Sequence, residues 1–139
     1  MIVLDTNVVS ELMREYPNAQ VQSWAAGLDR RTLAITSVTV AEILYGIRLL
    51  PIGRRRQSLD ADWGAFISRG FGEAVLPFDA AAANIYAQIA IERRRSGRRV
   101  EAFDGMIAAI ARCHYAAIAT RDIADFENCG VKLIDPWNA

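Results

Sequence analysis

A chain of 139 residues with 53% hydrophobic side chains is long enough to bury a core and too apolar for a disordered segment. Its 16 basic and 16 acidic residues give a formal net charge of zero, so contact with a polyanion has to come from a local patch and not from bulk charge. Cys113 and Cys129 are too few for a structural zinc site, no apolar run reaches the roughly 20 residues of a membrane span, and the first residues lack the pattern of a signal peptide; a soluble, cytoplasmic protein is expected.

Met1-Ile-Val-Leu-Asp5 reads as a buried strand that ends on a carboxylate. Asn7 is placed to cap a short helix through Met13, Pro17 stops it, and Asn18 caps a second helix carrying Val21, Trp24, Ala25 and Leu28 at helical spacing. Residues 32–37 read as a second strand, followed by a helix with Val40, Ile43, Leu44 and Ile47 on one face and Pro51 at its end. Arg54-Arg-Arg56 opens a polar helix running towards Gly70, and residues 74–78 form a third strand in which Pro77 marks the last pairing position. Asp79 caps a long helix with Ala82, Ile85, Tyr86 and Ile89 inside and Asn84, Gln88 and Glu92 outside, broken by Ser96-Gly97. From about Phe103 to Arg112 the same periodicity returns through Phe103, Met106, Ile107 and Ile110. Residues 116–120 and 131–134 complete the strand set. Strands alternating with helices predict an α/β fold: a three-layer α/β/α sandwich with a mainly parallel five-stranded sheet, in a single domain spanning 1–139.

Strand ends in such a sheet lie side by side, and four acids recur near them: Asp5, Glu42, Asp104 and Asp122. Each has a plainer reading. Thr39-Val-Ala-Glu42 matches a capping box, Asp104 in a first helical turn suits the macrodipole, and Asp122-Ile-Ala-Asp125 fits a capped turn. Asp5 is harder to explain that way, because a carboxylate that ends a buried strand rarely lacks a partner. If the four share a pocket, like charges about 5 Å apart repel by roughly 3 kcal/mol at an effective dielectric near 20. A divalent cation reverses that repulsion, and oxygen ligands suit Mg²⁺ or Mn²⁺.

Other chemistries are weighed by what is missing. His114 is the single histidine, which excludes a two-histidine ribonuclease mechanism, and neither a Walker A loop nor G-x-G-x-x-G is present. Asn7 stands where a D-x-D phosphatase needs its second aspartate, and Lys132 falls within a strand where a receiver-like domain wants its lysine afterwards. The basic runs Arg54-Arg-Arg56 and Arg93-Arg-Arg95 with Arg98 and Arg99 read either as solvated helix faces or, if they flank the acids, as phosphate contacts.

Leu4-Asp-Thr-Asn-Val-Val-Ser-Glu11, Thr39-Val-Ala-Glu-Ile-Leu-Tyr-Gly46, Leu76-Pro-Phe-Asp79, Ile85-Tyr-Ala-Gln88, Asp104-Gly-Met-Ile-Ala-Ala109, Ala119-Thr-Arg-Asp122 and Asp135-Pro-Trp137 together carry a family likeness over the whole chain. The chain resembles PIN-domain ribonucleases, specifically the VapC toxins of toxin-antitoxin pairs and, among them, the FitB-like branch. The resemblance implies metal-dependent endonucleolytic cleavage of RNA leaving 5′-phosphate products. It places the acidic quartet on Asp5, Glu42, Asp104 and Asp122 as ligands of Mg²⁺ or Mn²⁺, with Asp125 as the alternative for the fourth position. Thr6 and Thr120 are either turn groups or hydrogen-bond partners of the site. The resemblance also implies a homodimer, doubled when bound to a small DNA-binding antitoxin whose tail covers the acids, with operator DNA contacted only through the antitoxin. Val9, Leu12, Trp24 and Leu28 would then serve either the interface or the core. The alternative is a PIN-fold binding protein acting mainly in operator recognition, against which the presence of all four acids weighs.

Overall fold

In the computed structural model, which describes residues 1–71 and 74–139, the strands β1 (Ile2–Leu4), β2 (Leu33–Thr36), β3 (Val75–Leu76), β4 (Ala117–Ala119) and β5 (Leu133–Ile134) form one parallel sheet. Their order is β3-β2-β1-β4-β5. The chain builds outward from β1 through β2 to β3, then returns to the other side of β1 for β4 and β5. The strand order therefore reverses between β1 and β4, where Ile2 pairs with Ala117 and Leu4 with Ala119. In an open parallel sheet the crevice beyond the carboxyl ends of such a pair is where ligands bind, because the flanking connections diverge to opposite faces.

Successive β1 side chains point to opposite faces, and each face has its own core. Val3 joins Ile118, Ile107, Ile110 and Ile89 under α5 (Ala80–Arg95) and α6 (Ala102–Cys113). Leu4 joins Ile35, Val8, Val21 and Phe66 under α1 (Thr6–Met13), α2 (Ala19–Ala26), α3 (Ser37–Leu49) and α4 (Arg54–Phe66). The result is the anticipated α/β/α layering, with a short α7 (Ile123–Phe126) between β4 and β5. Val9 and Leu12 are buried and Trp24 and Leu28 pack against the same cluster, so all four serve the core.

Local chemistry explains several boundaries and corrects others. Asn18 caps α2 by accepting from the amides of Gln20 and Val21, and Asp79 caps α5 by accepting from Ala82. Strand pairing in β3 ends at Leu76, one residue before Pro77, which has no N–H to contribute. The cap of α1 is Asp5 and not Asn7, because the strand ends a residue earlier than expected and the helix starts at Thr6. Phe103 is 47% exposed and lies off the buried stripe of α6, whose inward residues run from Ile107 to Ala111 between α5 and the sheet. Gly105 permits that depth: a Cβ there would lie 2.8 Å from Cε2 of Tyr86, so only glycine lets the first turn of α6 press against α5. Among the described residues no helix is long and apolar enough to cross a membrane.

Candidate active site

Asp5 follows β1 directly, at the crevice where the strand order reverses. Its carboxylate is 4% exposed, and both oxygens are engaged. Oδ1 accepts from the Thr6 amide at 2.8 Å, while Oδ2 accepts from the Thr120 hydroxyl at 2.8 Å and from Nδ2 of Asn7 at 3.2 Å. Burial pushes its pKa from the ordinary 3.8 up to about 6. The Thr120 and Thr6 hydrogen bonds oppose that rise, and the neighbouring Glu42 and Asp122 carboxylates add to it.

Across the crevice, Asp122 follows β4 and is joined to Asp5 by a shared amide. Nδ2 of Asn7 donates to Oδ2 of Asp122 at 3.0 Å as well as to Asp5, and Oδ1 of Asn7 accepts from the Arg121 amide at 3.2 Å. Thr120 completes the link by accepting from the Asp122 amide. Starting α1 at Thr6 is what turns Asn7 into this bridge instead of a helix cap.

Glu42 does not take part in a capping box. The cap of α3 is Thr36, whose hydroxyl accepts from the Thr39 amide at 3.1 Å, so Glu42 sits well inside the helix. Its Oε1 accepts from the Thr6 hydroxyl at 2.8 Å, which ties α3 to α1 beside Asp5. A cleft of about 530 Å³ opens there, lined by Thr6, Ser10, Glu42, Gly46 and Leu59 among others.

Asp104 lies in the first turn of α6, behind the cap Glu101, whose carboxylate accepts the Asp104 amide at 3.1 Å. Its own carboxyl is pushed up to about 7, first by burial and then by the charges of Asp5, Glu101, Asp125 and Glu42. The two acids of the α7 segment thus divide their influence: Asp122 bears on Asp5 and Asp125 on Asp104. Asn7 and Glu101 escaped sequence reasoning as site residues, and Thr6 and Thr120 were left between two roles. The Asp5-Thr-Asn7 triplet was the available signal, since only a turn at the strand end aims all three side chains at one crevice.

The basic runs separate in space. Arg93 is 3% exposed and buried among backbone carbonyls, so it is no phosphate contact, whereas Arg94, Arg95 and Arg99 are exposed. His114 is exposed at the far end of α6, ahead of β4 and therefore at the sheet edge opposite the acids.

The donors at the crevice are carboxylate, hydroxyl and amide oxygens, the hard set that Mg²⁺ and Mn²⁺ prefer, with no thiolate or imidazole among them. Among the described residues no group of three or more His, Cys, Asp or Glu side chains is drawn together closely enough to hold a metal ion. Asp5 and Asp104 are the carboxyls whose burial and mutual repulsion a bound cation would relieve.

A family model described as PIN domain matches residues 2–131. The chain is 38% identical over 137 residues to a protein named VapC ribonuclease Y4jK of Sinorhizobium fredii, covering 99% of this chain and 98% of that one. It is also 38% identical over 138 residues to the toxin FitB of Neisseria gonorrhoeae, covering 99% of each. Among solved structures, that of FitAB bound to an IR36 DNA fragment contains a chain that superposes with a TM-score of 0.90 at 39% identity, covering 99% of this chain and 96% of that one.

Proposed function

The chain belongs to the PIN-domain family, and from that premise we propose that it is a metal-dependent endoribonuclease, the toxin of a toxin-antitoxin pair, which hydrolyses phosphodiester bonds in RNA. The observation that carries this reading is the pair of raised carboxylates, Asp5 and Asp104, set with Glu42 and Asp122 around the crevice at the reversal of strand order. Asp5 and Asp104 would hold Mg²⁺ or Mn²⁺, with Glu42 and Asp122 completing the site. When bound, the ion lowers the pKa of a coordinated water and offsets charge developing on the phosphate.

The chain's own groups supply the geometry. Thr120 and the Thr6 amide fix the two oxygens of Asp5, and Asn7 holds Asp122 at a set distance from it. Thr6 occupies Oε1 of Glu42, leaving Oε2 to orient an attacking water and accept its proton. The cleft beside Glu42 is where the RNA strand lies, and the whole of residues 1–139 acts as one catalytic unit. Partners are a second copy of the chain and a small DNA-binding antitoxin, with operator DNA reached only through the latter; the relative's FitAB complex on DNA supports this arrangement.

The test is cleavage of single-stranded RNA by purified, antitoxin-free protein. Activity with Mg²⁺ or Mn²⁺ should stop with EDTA, and Asp5→Asn and Asp104→Asn should each lower it at least about 100-fold, as expected for loss of a metal ligand. Cleavage that survives thorough chelation, or a folded Asp104→Asn protein cutting at the wild-type rate, would overturn the reading.

A further inference from the structure

Arg93 is withdrawn from water without any carboxylate in ion-pair contact among the described residues. Its donors go to the main chain instead. Nε donates to the carbonyl of Arg98 at 3.0 Å and Nη2 to that of Arg99 at 3.3 Å. Nη1 donates to the carbonyls of Asp125 at 3.0 Å and Glu127 at 2.8 Å, and it touches Sγ of Cys129 at 3.4 Å. One planar guanidinium thus joins two segments that are remote in sequence.

Both segments lead to the acids. Residues 98–99 run directly into Glu101, the cap of α6, and Asp104 in its first turn. Residues 125–127 close α7, which Asp122 opens. A helix of four residues has little stability of its own, and Asp122 makes no side-chain capping bond to it. Phe126 anchors α7 on its apolar side, and the carbonyl side is held by arginine. Arg98 adds a second tie, donating to the Ala124 carbonyl at 2.7 Å and pairing with Glu127 at 3.0 Å. A residue needed only to fill this space would not have to be a guanidinium.

We propose that Arg93 is a positioning residue of the acidic site: by clamping the α5–α6 connection to α7 it sets where Asp104 stands relative to Asp122 and Asp125, and through them the affinity for the divalent ion. The inference rests on the metal-dependent reading above. It also converts part of a basic run that resembled an RNA-binding patch into an internal brace.

The experiment measures Mn²⁺ affinity by electron paramagnetic resonance of the free ion, on wild type, Arg93→Met, Arg93→Lys and Arg98→Met, each first shown to be folded by circular dichroism at the temperature used. Arg93→Met should bind Mn²⁺ roughly 10- to 100-fold more weakly, the range found when support behind a metal ligand is removed. Arg93→Lys should recover part of that loss, and Arg98→Met should show a smaller loss in the same direction. In an Asp104→Asn background the effect of Arg93→Lys should shrink, because the two act through one coupling. Should Arg93→Met fail to fold, Arg93→Lys and Arg98→Met decide the matter. Folded variants with lowered melting temperatures but wild-type Mn²⁺ affinity would make Arg93 a brace of the fold alone and overturn the proposal. Failure of the wild type itself to bind Mn²⁺ would instead bring down the metal-dependent reading, and the proposal with it.

Discussion

At the carboxyl edge of the sheet, Asp5 and Asp104 are drawn out of water with other carboxylates as their charged neighbours, whereas near the end of α5 Arg93 is drawn out of water into a ring of carbonyl oxygens that take up its donors. Both regions bury charge, and burial costs free energy in each. The difference lies in what compensates. Around Arg93 the chain supplies the compensation itself; around the acids it supplies only part, and the proposed ion would supply the remainder. Unbalanced burial of like charges is what distinguishes a site from a brace.

The largest expected effect is on the brace. Arg93→Met leaves the carbonyls of Arg98, Arg99, Asp125 and Glu127 without their donor, and the loss should be on the order of 3 to 5 kcal/mol, visible as a fall of about 10 °C or more in Tm. An unchanged Tm would show that water replaces the guanidinium and that the contrast between the two regions is false.

Next in size is the response of the acids to an ion. Mg²⁺ at about 100 times its Kd should stabilise the wild type by roughly 2.7 kcal/mol, and Asp104→Asn should lose most of that gain. Thermal melts across a Mg²⁺ series read both. Equal gains in the two proteins would remove Asp104 from the ion's surroundings.

A smaller effect is expected in EDTA. There Asp104→Asn should melt higher than wild type at pH 7.5, by about 1 kcal/mol, because a repelling charge is removed. Asp5→Asn should gain less, since its carboxylate accepts from Thr120, Asn7 and Thr6, and an amide would turn a donor towards some of them. The sign of the pH dependence follows from the raised values. An acid with a folded pKa near 7 against 3.8 unfolded contributes its stability fully below 3.8 and loses it as pH rises through about 7. The advantage of Asp104→Asn should therefore narrow as pH falls from 7.5 and vanish near pH 4. A gap that stays constant over that range would mean the substitution acts through packing and not charge.

The smallest effect concerns the exposed arginines. With Arg93 committed to the interior and Arg98 tied to Glu127 and Ala124, Arg94, Arg95 and Arg99 are the exposed arginines of that run left to meet phosphates. In an Asp104→Asn background, Arg94→Ser with Arg95→Ser should reduce the slope of log affinity for single-stranded RNA against log salt by about 1 to 1.4. An unaltered slope would assign these residues to a solvated helix face.

The alternation of apolar runs and helical periodicities was enough to read an α/β/α sandwich, because each period is a local property of the chain. The same holds for Asp5 at a strand end, and for Asn18 and Asp79 as caps, where the side-chain acceptor and the amide that donates to it lie within three residues of each other. Glu42 shows where locality fails: Thr39-Val-Ala-Glu42 fits a capping box, yet the helix begins three residues earlier than that cap would start it, at Ser37, and Thr36 takes the cap. A shift of that size is below what periodicity resolves, and it redirects a carboxylate from its own backbone to Thr6 of another helix.

Sequence by itself therefore determined the class of fold and the order of its elements, and it singled out Asp5, Glu42, Asp104 and Asp122 as candidates, since all of these follow from spacing along the chain. Only the tertiary structure decided that Asn7 joins Asp5 to Asp122, that Asp125 bears on Asp104, and that Arg93 is a brace and not a phosphate contact. Each depends on which backbone carbonyls and carboxylates arrive at one place from segments that are tens of residues apart. An arginine in a basic run looks the same in sequence whether water or four carbonyl oxygens will surround it.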